Sequence, residues 1–197
     1  VQSTFKLTEN ATTWAFGLFG FGSMLSAFIL PKILDRFPDR SVMLAGATIL
    51  VTGLLSGYLI NTYNGLLTLW FVLGVGYSVS QTPTGRLIRK SASSENRTSL
   101  FAAQFAFSHA CWLITYPLVG WLSTNIGTLQ TFIPMAVIAI IALIFAVRLW
   151  SPQDDVFLPH SHDDLSFDHE HLIQHQVNGV HIHEYVIDEY HQKWPKH

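Results

Sequence analysis

Cysteine is all but missing from this 197-residue chain. The one thiol, Cys111, sits inside an apolar run, so neither an internal disulfide nor a thiolate metal cluster is available. Charge is scarce too, at 12% of residues, and Asn10–Pro31, Ser41–Gly85 and Thr98–Val147 contain no Lys, Arg, Asp or Glu. Such runs argue against the buried core of a soluble helical protein and for a membrane. There is no Gly-rich nucleotide loop, no nucleophile elbow and no paired carboxylate in a pocket context, so an enzyme is not expected. No charged segment followed by an apolar core opens the chain, so no signal peptide is expected. The first residue is Val1, not Met, and the chain is read as a fragment.

What is present is helix-length apolar sequence. About 20 residues cross a hydrocarbon core of about 30 Å. The two longer runs are broken by polar turns, "NTYNG" at Asn61–Gly65 and "STNIGT" at Ser123–Thr128. Five transmembrane spans result, at 12–34, 42–62, 65–84, 99–123 and 128–149. The first connector carries Lys32, Arg36 and Arg40, and the third carries Arg86, Arg89, Lys90 and Arg97; the second and fourth carry no charge. That bias places connectors one and three, and everything after Arg148, in the cytoplasm, with residues 1–11 outside. An odd helix count with an external start and no signal implies missing N-terminal helices of the same protein as partners of these five, in a shared lipid bilayer.

The alternation of basic connectors and uncharged turns, ending on an inward helix, resembles the last five of twelve helices in a major facilitator superfamily permease. The resemblance covers about residues 1–150. The superfamily repeats Gly-x-x-x-Asp-Arg-x-Gly-Arg-Arg between helices eight and nine. Asp35, Arg36 and Arg40 match it, Pro31 and Pro38 stand at its two glycines, and Asp39 replaces the first of the final arginines. The resemblance implies an all-α, twelve-helix fold in which this connector latches two helix bundles on the cytoplasmic side. Asp35 is placed to accept hydrogen bonds from a helix N-terminus, and Arg36 and Arg40 to pair with acids or lipid phosphates. The alternative is that the basic residues are only positive-inside anchors.

Within the spans, Gly17, Gly20, Gly22, Ser23 and Ser26 suggest close helix packing. Gly74, Gly76, Ser78, Ser80, Gln81 and Thr82 suggest a polar path. On the fourth span Gln104, Ser108, Cys111 and Thr115 share one helical face, beside a stripe of Phe105, His109, Trp112 and Tyr116. His109 is a candidate proton-coupling group or a ligand beside Cys111, or else a histidine bonded to a neighbouring helix. Pro117 is expected to kink the span.

After Pro152 the chemistry changes. Residues 1–151 hold nine basic and four acidic side chains; residues 152–197 hold two basic, nine acidic and nine of the ten histidines. Domain boundaries of 1–151 and 152–197 follow, a bundle and a soluble tail. The acidity of the tail argues against nucleic acid. His160/His162, His169/His171 and His181/His183 repeat His-x-His, and His175, His191 and His197 add further imidazoles. Imidazole binds zinc, nickel, copper and cobalt, so a divalent metal, nickel, cobalt or zinc, is the expected ligand and no other cofactor is required. No zinc-finger spacing is present, and several adaptable sites are expected rather than one closed site. Asn178–Gly179 predicts a two-residue hairpin in which Gln176 faces His181 and Gln174 faces His183. His181 and His183 then lie on one face about 7 Å apart, with Glu170 or Tyr185 as possible neighbours.

The membrane part joined to this tail resembles His-tailed bacterial nickel- and cobalt-resistance permeases. That implies proton-coupled efflux of nickel, or of cobalt or zinc, across the bacterial inner membrane. Two alternatives stay open: a drug or metabolite exporter with a regulatory tail, and a membrane-anchored metal buffer or sensor without transport.

Overall fold

The structure is a computed structural model that describes residues 9–150 and, in the tail, 157–162, 166, 169–174, 176–177, 180–188, 190 and 191. It divides into two compact units, residues 1–84 with 107–152, and residues 85–106 with 153–197.

Five long helices occupy the expected spans: α1 (Glu9–Leu34), α2 (Asp39–Gly57), α3 (Tyr63–Gln81), α5 (Arg97–Asn125) and α6 (Phe132–Leu149), with a short α4 (Thr84–Ser91) ahead of α5. Four of them, α1, α2, α5 and α6, are long and apolar enough to cross a membrane. The fifth expected span falls short of that standard because α3 carries Asn64, Thr68, Ser78, Ser80 and Gln81. α3 packs against both α1 and α2, burying Leu69, Gly74, Gly76 and Ser78, while α2 also packs on α6. The α1 and α3 backbones touch. A Cβ at Gly22 would meet the Phe71 carbonyl, and one at Gly74 the Phe19 carbonyl. Phe16 and Trp70 close the same seam edge to face at 4.9 Å.

The seam corrects two expectations. Gly17 and Gly20 meet nothing within 4 Å, so the packing edge of α1 is Ala15, Gly22, Ser26 and Leu30. On α3, Gly74, Gly76 and Ser78 are buried in helix contact instead of lining a polar path. The turn before α6 needs Gly127 at φ +98°, and Thr131 donates to the Gly127 carbonyl at 2.8 Å. Residues 128–131 are spent on that turn, so α6 begins at Phe132 and not at 128.

Connector one is also rearranged. Phe37 closes the end of α1 by donating to the Ile33 carbonyl, and Pro38, with no N–H to satisfy, leads into α2. The carboxylate buried at the start of α2 is that of Asp39, whereas Asp35 and Arg36 are exposed. Arg40 turns to the end of α6: Nε donates to the Trp150 carbonyl at 3.0 Å and Nη2 to the Val147 carbonyl at 3.2 Å. A guanidinium there satisfies carbonyls left open by the last helical turn and complements the negative end of the helix dipole. The partners Arg40 has here are thus main-chain carbonyls of α6.

The tail is a small mixed module. Strands β1 (Phe157–Pro159), β2 (Gln176–Val177) and β3 (Val180–Glu184) form an antiparallel sheet in the order β1-β3-β2, with one helical turn, α7 (Glu170–Gln174), before β2. The hairpin register is Gln176 opposite His181 and Val177 opposite Val180; the Asn178–Gly179 turn itself lies outside the described residues. Gln174 belongs to α7, and the partner of His183 is Leu158 on β1. β1 has no sequence signature, being three residues that end in proline, which only an edge strand tolerates. Tyr185 and Ile187 form a buried pair beyond β3, and Ile187 donates its amide to the Lys90 carbonyl at the end of α4 at 2.9 Å.

Candidate metal centre

The ends of β1 and of the Asp188 turn, with α7 and β3, deliver histidine to one point. His160 follows β1 and extends its ladder, donating its amide to the His181 carbonyl at 3.2 Å. His162 comes two residues later. His171 lies in α7, and β3 carries His181 and His183 on one face, as alternation along a strand requires. His191 returns after a turn built on Asp188. One ring nitrogen from each of these six residues lies within 4.8 Å of all the others. The Nε2 atoms of His160 and His191 are 2.9 Å apart, those of His181 and His171 3.2 Å, and those of His171 and His162 3.3 Å. His181 and His191 are buried, and the other four half-buried.

Asp188 shapes this cluster from outside. Its Oδ1 accepts from the His191 ring Nδ1 at 2.7 Å, from the His191 amide at 2.8 Å and from the Tyr190 amide at 2.9 Å. The ring bond puts the His191 proton on Nδ1 and leaves Nε2 to present a lone pair to the cluster, as in carboxylate–histidine–metal triads. Burial alone would raise the Asp188 carboxyl. The hydrogen bonds from the His191 ring and the Tyr190 and His191 amides, with the charge of His191, outweigh it and hold the carboxyl below its ordinary value. His181 is lowered from 6.5 to about 4, first by burial and then by repulsion from His160, His171, His183 and His162. Its ring is therefore neutral, the form that ligates metal, throughout the physiological range. Tyr185 stands 4.9 Å from His160 and 4.6 Å from His191, ring centre to ring centre, and its hydroxyl is pushed up by burial and by Asp188.

Not every histidine of the tail joins. His169 accepts the His171 amide on Nδ1 at 3.2 Å, immediately ahead of α7, and its ring sits 5.5 Å from Tyr190. It caps the helix that positions His171. Glu170 accepts from Gln174 at 2.7 Å and is not among the converging groups. His175 lies outside the described residues. The expectation of several adaptable sites thus gives way to one convergent group of six among the described residues.

The membrane candidates Gln104, Ser108, His109, Cys111 and Thr115 all lie on α5. No residue of α5 is buried. Gln104, Ser108 and Thr115 are half-buried, while His109 and Cys111 are exposed. The Thr115 hydroxyl donates to the Cys111 carbonyl at 2.8 Å, and the His109 ring packs 4.8 Å from Trp112. α5 runs through Pro117 to Asn125 without interruption.

Residues 1–169 match the family model of the Major Facilitator Superfamily. Over 144 residues the chain is 22% identical to a Bacillus subtilis (strain 168) protein described as an uncharacterized MFS-type transporter, YfmI. The alignment takes in 71% of this chain and 35% of that relative, so the chain spans about a third of its length. No solved structure matches. The family match reaches from α1 past the end of β1, and the chain belongs to the Major Facilitator Superfamily.

Proposed function

We propose that this chain works in a proton-coupled exporter of nickel or a related divalent metal, cobalt or zinc, in the bacterial inner membrane, and that its tail captures the metal on the cytoplasmic side. Family membership supports transport, and the Lys/Arg bias of connectors one and three supports a cytoplasmic tail. The observation that carries the choice of cargo is the convergence of His160, His162, His171, His181, His183 and His191. A drug or metabolite exporter has no use for six imidazoles turned toward one point. Proton coupling gives the exposed His109 a role, as an ionisable side chain within the uncharged length of α5.

The test is nickel, cobalt and zinc accumulation in bacteria expressing the full-length gene, with and without residues 157–197. The complete gene is expected to lower accumulation of one metal, and the truncated gene to lose that effect. Unchanged accumulation of all three metals would exclude export. If metal is retained in cells in proportion to expression, the buffer or sensor reading takes its place.

A further inference from the structure

We propose that the six histidines form one octahedral, all-imidazole site for a single six-coordinate first-row divalent cation, nickel foremost. This rests on the metal-capture reading and specifies its ligand. Donors at about 2.1 Å from an octahedral ion stand about 3.0 Å apart when adjacent and about 4.2 Å apart when opposite. In a tetrahedron at the same bond length all four stand about 3.4 Å apart. The close pairs at 2.9, 3.2 and 3.3 Å are compatible with either polyhedron. The number of donors decides. All six nitrogens fall within 4.8 Å of one another, which opposite donors reach with bonds of about 2.4 Å, whereas a tetrahedral ion would leave two rings unused.

The connectivity points the same way. The six rings arrive from the end of β1, the segment after it, α7, β3 and the Asp188 turn, so they approach one centre from separate directions. Neighbouring rings meet edge to face at 4.9 Å for His160 and His162 and 4.8 Å for His160 and His191, as radially arranged imidazoles do. Only β3 supplies two donors, from alternate positions of one strand face.

Donor chemistry narrows the occupant. No carboxylate belongs to the group, which disfavours calcium and magnesium, since those ions take oxygen. With no thiolate in the group, copper(I) is disfavoured. Zinc settles at four ligands in sites built from protein alone, and copper(II) prefers a tetragonal field. Among ions that accept six nitrogens, affinity rises from manganese through iron and cobalt to nickel.

The test uses the full chain purified in detergent, with cobalt(II) as the spectroscopic probe. The expected result is one cobalt per chain, faint visible absorption characteristic of six-coordinate cobalt(II), displacement by equimolar nickel, and at least tenfold preference for nickel over zinc. Intense four-coordinate absorption, or two or more ions per chain, overturns the octahedral site and leaves metal capture standing. Binding of zinc but of neither cobalt nor nickel overturns the octahedral site and leaves metal capture standing, and failure of cobalt, nickel and zinc alike overturns the site and the capture reading together. Because every readout is taken on the unmutated chain, none depends on whether a histidine variant folds.

Discussion

Asp188 stands outside the ring of six nitrogens yet fixes the orientation of one of them. Its Oδ1 takes the Nδ1 proton of His191 and two backbone amides at once, so a single carboxylate sets both the turn and the tautomer. Asp188→Asn keeps the size of the side chain and removes its charge. Nickel affinity measured by calorimetry should fall about tenfold to hundredfold, the usual cost of losing an outer partner of a metal ligand. An unchanged affinity would mean that His191 needs no orienting carboxylate. At this scale the sequence was informative about residue type and weak about role. The His-x-His spacing pointed to metal, and alternation along a strand put His181 and His183 on one face. Spacing cannot separate His169 from His171, because one caps α7 and the other looks inward only once that helical turn exists. Nor does it reveal Asp188, whose partner is three residues on and reached only through the turn it makes.

The helices and strands show the same division between pattern and context. Charge-free runs located all five long helices, since the need to bury apolar length is written residue by residue. Which face packs was not legible. α1 has glycines on two sides, and only the side bearing Gly22 meets α3, while Gly17 and Gly20 face open space. The contrast yields a paired prediction. Gly74→Val puts a branched side chain against the Phe19 carbonyl, where backbone and not a flexible side chain must give way. It should destabilise the bundle by about 1–3 kcal/mol, the cost of overpacking. Gly17→Val should change stability by less than about 0.5 kcal/mol. Thermal unfolding of both variants in the same detergent measures the difference, and equal shifts would rule out the α1–α3 seam. Arg40 was legible as a conspicuous connector cation, but its partners, the carbonyls of Val147 and Trp150, lie more than a hundred residues away and leave no local trace.

At the scale of the whole chain, two kinds of stability coexist. The helical unit rests on buried seams such as α1–α3 and the Leu30, Leu34 and Val42 cluster. The tail has a short three-stranded sheet and a small buried pair, Tyr185 and Ile187, and sheets of that size are marginal alone. Without a cation the six imidazoles weaken the tail in acid, since burial and mutual repulsion both oppose charging His181. A metal that binds only the folded tail stabilises it by mass action, by about 2.7 kcal/mol at a hundredfold excess over its Kd. The site shares its unit with α4 through the Ile187–Lys90 backbone bond, so that stabilisation should reach the amide of Ile187 as well as those of β3. Hydrogen exchange of the full chain with and without nickel reads this directly. Exchange of the β3 and Ile187 amides should slow about a hundredfold when nickel is bound at that excess, while amides of α1, α2 and α3 stay unchanged. Equal slowing in both units would mean that the metal acts on the helices directly. No slowing anywhere would mean that nickel does not bind the folded tail.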